Sequence, residues 1–294
     1  MNLIEVYETF PDHKSCIDHL EKVRWKDNPH CPHCASINVK RKVDGKRVGR
    51  WNCHDCKSSF NVLSDTFMQG THIKLQKWFL AISLMMNAKK SLSSYQLARD
   101  LDLNQKTAWY MQQRIRAEMA SQDNVILQGI IEADETYVGG KPRQSNDRNA
   151  DSENKRGRGT KKTPIIGAIQ RGGEVVARVA TDLTGRGILE FLRNFVNPNG
   201  SILMTDEYKA YNTVQDIPHR TVNHQEVFVD GEVHTNTIEG FWSLLKRAWY
   251  GSHHHYRRKF TPLYVAEACY KYNHRTDTKL LYTFTERCFP QPSC

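Results

Sequence analysis

Two Cys-x2-Cys pairs limit what the first quarter of the chain can fold into. Cys31 and Cys34 form the first pair, eighteen residues follow, and Cys53 and Cys56 form the second. In each pair the backbone turns so that both thiolates face one point, and two pairs complete a tetrahedral site that suits Zn2+. The spacing predicts a zinc ribbon over residues 27–70 with one closed, structural zinc site.

Other interpretations of the cysteines stay open at this point. His33 and His54 lie inside the two pairs and are alternative zinc ligands, and a redox-active pair is a competing interpretation. Four further cysteines have no such spacing and are expected to be free thiols: Cys16, Cys269, Cys288 and Cys294.

The net charge points to a polyanionic partner. The 294 residues include 42 Lys and Arg against 32 Asp and Glu, which leaves a net charge of +10, and 39% of the residues are hydrophobic. A chain of this composition builds folded domains, so the excess charge lies on a folded surface. Its longest apolar stretch, Trp78–Met86, is far shorter than the ~20 residues of a membrane span. With no signal-peptide pattern at the N-terminus, we expect a cytoplasmic protein.

The positive charge begins in the ribbon and continues beside it. Phosphate contacts are predicted for Lys40, Arg41, Lys42, Lys46, Arg47 and Arg50, although a solvated hairpin tip would show the same pattern. After a helical segment over residues 1–26 and the ribbon, residues 71–122 show helical periodicity. A short helix, the turn Leu101–Asn104 and a second helix predict a helix-turn-helix, with a plain helical bundle as the alternative. Its second helix would present Gln105, Lys106 and Thr107 to DNA.

The pattern changes to strands in the region 123–277. Apolar runs predict strands at residues 125–134, 163–170, 174–180 and 201–206, with a helix before the last one. Three strands in series followed by a helix and another strand indicate an α/β fold with a mixed sheet covered by helices.

Three acidic residues in this region suggest a metal site. Asp134 and Asp206 each appear at the end of an apolar strand, and Glu239 lies on a predicted amphipathic helix over residues 236–247. Carboxylates that converge repel one another unless cations bind between them, so Mg2+ or Mn2+ is the expected occupant. Glu132 shares a strand face with Asp134 by alternation, so the residues alone leave both as candidate ligands. Lys246 is nearly two helical turns beyond Glu239, on the same face.

Several longer motifs, spread over nearly the whole chain, resemble those of a known protein family. They are the two cysteine pairs, Ala133–Lys141, Thr205–Tyr208, Val233–Trp242 with Lys246 and Arg247, and Tyr272–Arg275. In these blocks the chain resembles bacterial insertion-sequence transposases of the DDE type with an N-terminal zinc ribbon, the ISXO-like group.

The resemblance implies a ribonuclease-H-like core and a specific activity. Asp134, Asp206 and Glu239 would hold two Mg2+ or Mn2+ ions, and Lys246 and His234 would assist at the DNA backbone. The implied reaction is cleavage and strand transfer at the terminal inverted repeats of an insertion sequence, by a homodimer or higher synaptic assembly on double-stranded DNA. A DNA-binding regulator that does not cut, and a nuclease that does not join strands, remain the alternatives.

The rest of the chain adds further basic segments. The insertion 141–162 is charge-rich and is either a surface loop or a DNA-clamping arm. Additional DNA contacts are predicted for Arg247, Arg257, Arg258 and Lys259, with Tyr250 and Tyr256 stacking nearby. The stretch Pro262–His274 is expected to pack on the core, and residues 278–294 are expected to be a C-terminal tail.

Overall fold

The computed structural model describes residues 2–42, 48–122, 125–139, 162–221 and 234–289. The helices are α1 (Leu3–Thr9), α2 (His13–Trp25), α3 (Leu75–Asn87), α4 (Ser94–Asp100), α5 (Gln105–Ser121), α6 (Gly185–Phe195), α7 (Asn236–Arg247), α8 (Thr261–Asn273) and α9 (Leu280–Arg287). The strands are β1 (Val39–Arg41), β2 (Arg50–Cys53), β3 (Ser59–Asn61), β4 (Ile130–Val138), β5 (Thr163–Gln170), β6 (Val175–Val179), β7 (Ile202–Thr205) and β8 (His219–Thr221). They form two compact units, residues 1–122 with 276–294 and residues 123–275. Within the described residues, every helix is too short or too polar to span a lipid bilayer.

In the first unit, the ribbon sheet packs on α2. Strands β1, β2 and β3 form an antiparallel sheet in that order. Glu21 of α2 accepts a hydrogen bond from the Trp51 indole at 2.9 Å and pairs with Arg41. Gly49 has a φ of +75°, and a Cβ there would lie 2.7 Å from the Ile17 side chain. The ribbon therefore approaches α2 so closely that only glycine fits at this turn.

Helices α4 and α5 begin at side-chain caps and are joined by a tight turn. Ser93 accepts from the Gln96 amide, and Asn104 accepts from the Lys106 amide. The turn contains Asp102 with a φ of +48°, and the Leu103 amide donates to the Ala98 carbonyl at 2.9 Å, as expected for a left-handed C-terminal cap. These two helices and their turn match the expected positions; their binding of DNA stays a prediction.

The predicted C-terminal tail contains helix α9. In α9, Leu281 and Phe284 are buried, and the Phe284 ring meets the Phe67 ring at a centroid distance of 5.7 Å. Gln122 at the end of α5 donates to the Phe284 carbonyl. Helix α9 was not predicted within this C-terminal segment, because a short apolar spacing of i and i+3 becomes a core contact only when long-range partners are present.

The second unit is a five-stranded mixed sheet with helices on both faces. The strand order is β6-β5-β4-β7-β8, in which β4, β5 and β6 are antiparallel and β7 and β8 run parallel to β4. Ile188 and Leu192 of α6 join the core on one face, while α7 and α8 contribute Phe241 and Val265 to the other. This architecture confirms the predicted α/β, ribonuclease-H-like fold class, and α8 packs on the core as expected.

Strand β8 was not predicted. It contains only His219, Arg220 and Thr221, two of them exposed, and so shows no apolar alternation. Its place in the sheet comes from parallel backbone pairing with β7, for example Leu203 opposite His219.

Candidate active site and zinc site

The four paired cysteines converge as their spacing predicts. Their sulfur atoms all lie within 4.8 Å of one another. The shortest contacts, Cys31 with Cys56 and Cys34 with Cys53, are both 3.6 Å and each joins one pair to the other. Neither His33 nor His54 belongs to this cluster. A set of four thiolates fits a closed structural Zn2+ site.

The two cysteine pairs have the same turn geometry and support each other. The residue after the second cysteine is left-handed in both, with φ of 58° at Ala35 and 60° at Lys57. Asp55 of the second pair accepts hydrogen bonds from Ser36 at 2.5 Å and Asn38 at 2.7 Å, which follow the first pair. These contacts hold the two turns together and orient the thiolates.

Strand pairing makes Asp134 and Asp206 neighbours. Strands β4 and β7 pair in parallel with Glu132 opposite Met204, a register offset of 72 residues. The two aspartates are also 72 residues apart, so they lie at equivalent positions two residues beyond this pair. The expectation that both end a strand holds for Asp206, which follows β7 directly, but not for Asp134. Strand β4 continues to Val138 because β5 pairs with it over that length, beyond the end of β7.

The surroundings of Asp134 raise its pKa. Burial raises the pKa of Asp134 from 3.8 to about 6, and the negative charges of Asp206 and Glu239 add to this effect. A hydrogen bond from the Trp242 indole at 3.0 Å acts in the opposite direction. The three acids are therefore electrostatically coupled. Within the described residues, only the cysteine cluster has three or more ligand atoms inside 4.8 Å, so the acidic site is more open than the zinc site.

Helix α7 brings Glu239 and Trp242 to the sheet. The Trp242 ring packs on Gly167, which is the β5 residue directly opposite Asp134. A Cβ at Gly167 would lie 2.5 Å from the ring. Glycine is thus required for the indole to reach the Asp134 carboxylate. Glu239 and Lys246 are both exposed on α7, consistent with their placement on one helix face.

Gly167→Ala is expected to displace Trp242 and to destabilise the second unit by about 1–3 kcal/mol, the usual cost of overpacking. Adding Trp242→Phe, whose smaller ring relieves the clash, should recover part of this loss, so the two substitutions should be non-additive. Urea unfolding measures both effects. Gly240→Ala is the matched control, because nothing lies within 4 Å of that Cβ position. Equal stability of wild type and Gly167→Ala would contradict the packing argument.

Glu132, the competing acid, has a different environment from Asp134. Its carboxylate is fully buried and pairs with Arg171 at 2.6 Å. His234 lies beside this pair, with Nδ1 3.1 Å from an Arg171 nitrogen and 3.3 Å from a Glu132 oxygen. Alternation along β4 showed that Glu132 faces the same side as Asp134, but nothing in the sequence indicated Arg171 as its partner.

The residues of the ribbon that were predicted to contact DNA differ in exposure and in their contacts within the protein. Lys40, Arg41 and Lys42 are all exposed, and Arg41 also pairs with Glu21 and lies over Trp51, 4.9 Å from the ring centroid. Arg50 is half-buried and donates to Ser59. Lys46 and Arg47, like the insertion 141–161, lie outside the described residues.

The other predicted contacts lie on α5 and beyond α7. Lys106 is exposed, Thr107 is half-buried, and Gln105 is half-buried and donates to Ser94 at 2.8 Å. Of the contacts predicted after Glu239, five are exposed: Arg247, Tyr250, Arg257, Arg258 and Lys259. Tyr256 was expected to stack on DNA, but it is buried and stacks on Tyr264 with a centroid distance of 3.9 Å. Its ring packs among apolar side chains of the core, and this packing leaves the ring inaccessible to DNA bases.

Comparison with known proteins gives matches to both units. The model of the ISXO2-like transposase domain matches residues 126–273, and that of the transposase zinc-ribbon domain matches residues 11–59. A relative from Halobacterium salinarum, described as an uncharacterized protein in transposable element ISH50, is 30% identical over 261 residues, which cover 84% of this chain and 86% of the relative.

Among solved structures, the chain is similar to the Mos1 strand transfer complex and to a pre-cleavage Mos1 transpososome. The first is 11% identical, covers 71% of this chain and 76% of that chain, and has a TM-score of 0.29. The second is 11% identical, covers 70% of this chain and 76% of that chain, and has a TM-score of 0.25. The fold assignment rests on the strand order of the sheet. Because the first family model spans half of the chain and the Halobacterium relative most of it, this chain belongs to the ISXO2-like transposases and is a nuclease-type transposase with a structural zinc ribbon.

Proposed function

We propose that this transposase cuts and joins DNA at the terminal inverted repeats of its insertion sequence by two-metal catalysis with Asp134, Asp206 and Glu239. The observation that carries the proposal is the β4–β7 register, whose offset equals the spacing of the two aspartates. The coupling of Asp134 to both other acids supports the same grouping.

The donor set suits hard divalent cations. Three carboxylates offer the oxygen ligands that Mg2+ and Mn2+ prefer, and a site with this much negative charge favours cation binding. The bound ions would activate the attacking hydroxyl and stabilise the leaving 3′-oxygen during in-line displacement at phosphorus. Asp134 holds its carboxylate in place through Trp242. Glu239 supplies its carboxylate from the first turns of α7.

Two further residues act at the DNA backbone in this proposal. Lys246 extends from the same helix face as Glu239 and binds a phosphate next to the scissile bond. His234 uses Nε2, because its Nδ1 faces Arg171 and Glu132. Phosphate contacts outside the site come from exposed cations, which are Lys40, Lys42, Lys106, Arg247, Arg257, Arg258 and Lys259. A homodimer or larger assembly would bring two element ends together.

The test uses labelled duplex DNA that carries the inverted repeats flanking the gene. Wild type with Mg2+ should cleave this DNA and join the freed 3′ end to a target. Asp206→Asn and Glu239→Gln should each lower cleavage by about 1,000-fold, equal to about 4 kcal/mol of lost transition-state stabilisation. DNA affinity should remain within about threefold, because neither residue is a proposed phosphate ligand.

The control is Glu207→Gln, an exposed neighbour of Asp206 that should cleave normally. Undiminished cleavage by Asp206→Asn or Glu239→Gln would refute the assigned site. Specific binding without any cleavage by wild type would instead support the non-cutting regulator, and cleavage without joining would support a plain nuclease.

A further inference from the structure

Glu132 is a buried charge with a complete set of partners. Its side chain is 0% exposed. One carboxylate oxygen accepts from the Arg171 guanidinium at 2.6 Å and from the Thr237 hydroxyl at 2.9 Å. The other accepts from the backbone amides of Thr237 at 2.8 Å and Ile238 at 3.0 Å. A buried carboxylate is tolerated only when it is paired and hydrogen-bonded in this way.

Two of these partners are the first-turn amides of α7. An α-helix leaves its first amides without intrahelical partners, and a local side chain usually binds them. Thr235, at the N-cap position of α7, makes no capping hydrogen bond with its side chain. Glu132 takes over this function from a strand more than 100 residues earlier, and its negative charge suits a helix N-terminus. The residue after Ile238 is Glu239, so the anchored turn leads directly into the acidic site.

Arg171 attaches the segment before the helix to the same point. It donates to the His234 carbonyl at 2.8 Å as well as to Glu132. Its own backbone amide donates to the Ile130 carbonyl of β4 at 3.0 Å. The start of α7 is therefore bound to the strand that carries Asp134, two residues beyond Glu132 on the same face.

We propose that Glu132, with Arg171, is a positioning residue of the acidic site: it binds the first turn of α7 and so sets the distance between Glu239 and Asp134. It is not a metal ligand. This inference rests on the proposed function, because it takes Glu239 as a ligand. It explains why a fully buried carboxylate, paired with a partly exposed arginine, lies two residues from a proposed catalytic aspartate.

The test compares Mn2+ binding with DNA cleavage in the full chain. Mn2+ affinity is measured by electron paramagnetic resonance without DNA, and cleavage is measured at saturating DNA over a series of Mn2+ concentrations. Glu132→Gln keeps an oxygen for the helix amides but loses the charge that pairs with Arg171. We expect its Mn2+ affinity to fall about 10-fold, its cleavage rate to fall with it, and excess Mn2+ to restore part of the rate. DNA affinity should not change.

Thr237→Ala is the milder second variant, because it removes only the hydroxyl donor to Glu132. It should shift Mn2+ affinity in the same direction by about threefold and remains informative if Glu132→Gln does not fold. In a double-mutant cycle, the variant with both Glu132→Gln and Arg171→Gln should lose no more Mn2+ affinity than the weaker-binding single variant. Either substitution alone already breaks the Glu132–Arg171 pair. Glu190→Gln, an exposed acid on α6, is the control and should behave as wild type.

The outcomes separate this inference from the proposed function. Folded Glu132→Gln and Thr237→Ala proteins with wild-type Mn2+ dependence would overturn the positioning role, even if their melting temperatures fall. Glu239→Gln with wild-type Mn2+ affinity and cleavage would overturn the proposed function itself, and the positioning role with it. A loss of Mn2+ affinity in both Glu132→Gln and Glu239→Gln supports the positioning role as well as the proposed function.

Discussion

Asp134→Asn is expected to stop DNA cleavage and, in buffer without Mg2+ or Mn2+, to make the protein more stable than wild type. Burial first, and the charges of Asp206 and Glu239 second, raise the pKa of Asp134 from 3.8 to about 6. The folded state therefore prefers the protonated carboxyl, and ionisation above pH 6 opposes folding. Asparagine removes this penalty and can still accept the Trp242 hydrogen bond.

The sign and size of this effect depend on pH. One pKa unit corresponds to about 1.4 kcal/mol, so the stabilisation at pH 8 is at most about 3 kcal/mol. It should shrink as the pH falls below 6 and be less than about 1 kcal/mol at pH 4, where the carboxyl is protonated in the folded state and the pH is close to its ordinary pKa of 3.8. Urea unfolding at pH 8 and pH 4 measures this difference, with the exposed Glu207→Gln as the control.

With divalent cations present, wild type should become more stable than Asp134→Asn. Mg2+ that binds the folded wild type stabilises it by mass action, whereas Asp134→Asn should respond weakly. Cleavage by the variant should fall by about 1,000-fold or more, as for the other two acids. A variant less stable than wild type at pH 8 without divalent cations would contradict the described environment of Asp134.

Cys53→Ser is expected to remove the bound zinc and unfold the ribbon while the second unit keeps its fold. The ribbon sheet has strands of only three or four residues and few buried apolar side chains, among them Phe60 and Val62. Structural zinc contributes about 10–16 kcal/mol of apparent binding free energy to such small folds. Binding of inverted-repeat DNA should then weaken on the order of 100-fold, because the proposed phosphate contacts of Lys40 and Lys42 are lost.

Zinc content, DNA affinity and Mn2+ binding are the three measurements for this variant. Zinc should fall from one ion per chain to none, whereas Mn2+ affinity should match that of wild type, because the acids lie in the other compact unit. Cys16→Ala is the control, since Cys16 is buried in α2 and outside the thiolate cluster. An equal loss of Mn2+ affinity in Cys53→Ser would show that the two units do not bind their metals independently.

Features that depend on local spacing could be predicted from the sequence. The cysteine pairs define the zinc site because each turn is formed by four consecutive residues. Strand β5 and helix α7 have the predicted bounds because their patterns are strongly apolar or amphipathic. The weakly patterned elements β8 and α9 were missed, because backbone pairing in one case and distant aromatic partners in the other determine their structure.

For this protein, the sequence alone indicated the four clustered cysteines and the α/β class, since residue type and spacing carry that information, and it limited the candidate acids to a few. Only the tertiary structure could distinguish Glu132 from Asp134, which share one strand face. Glu132 meets Arg171 and the first turn of α7, whereas Asp134 meets Trp242 and the charge of Asp206. Those partners are residues 39 to more than 100 positions away in the chain, and the free energy of a charge depends on what surrounds it in space.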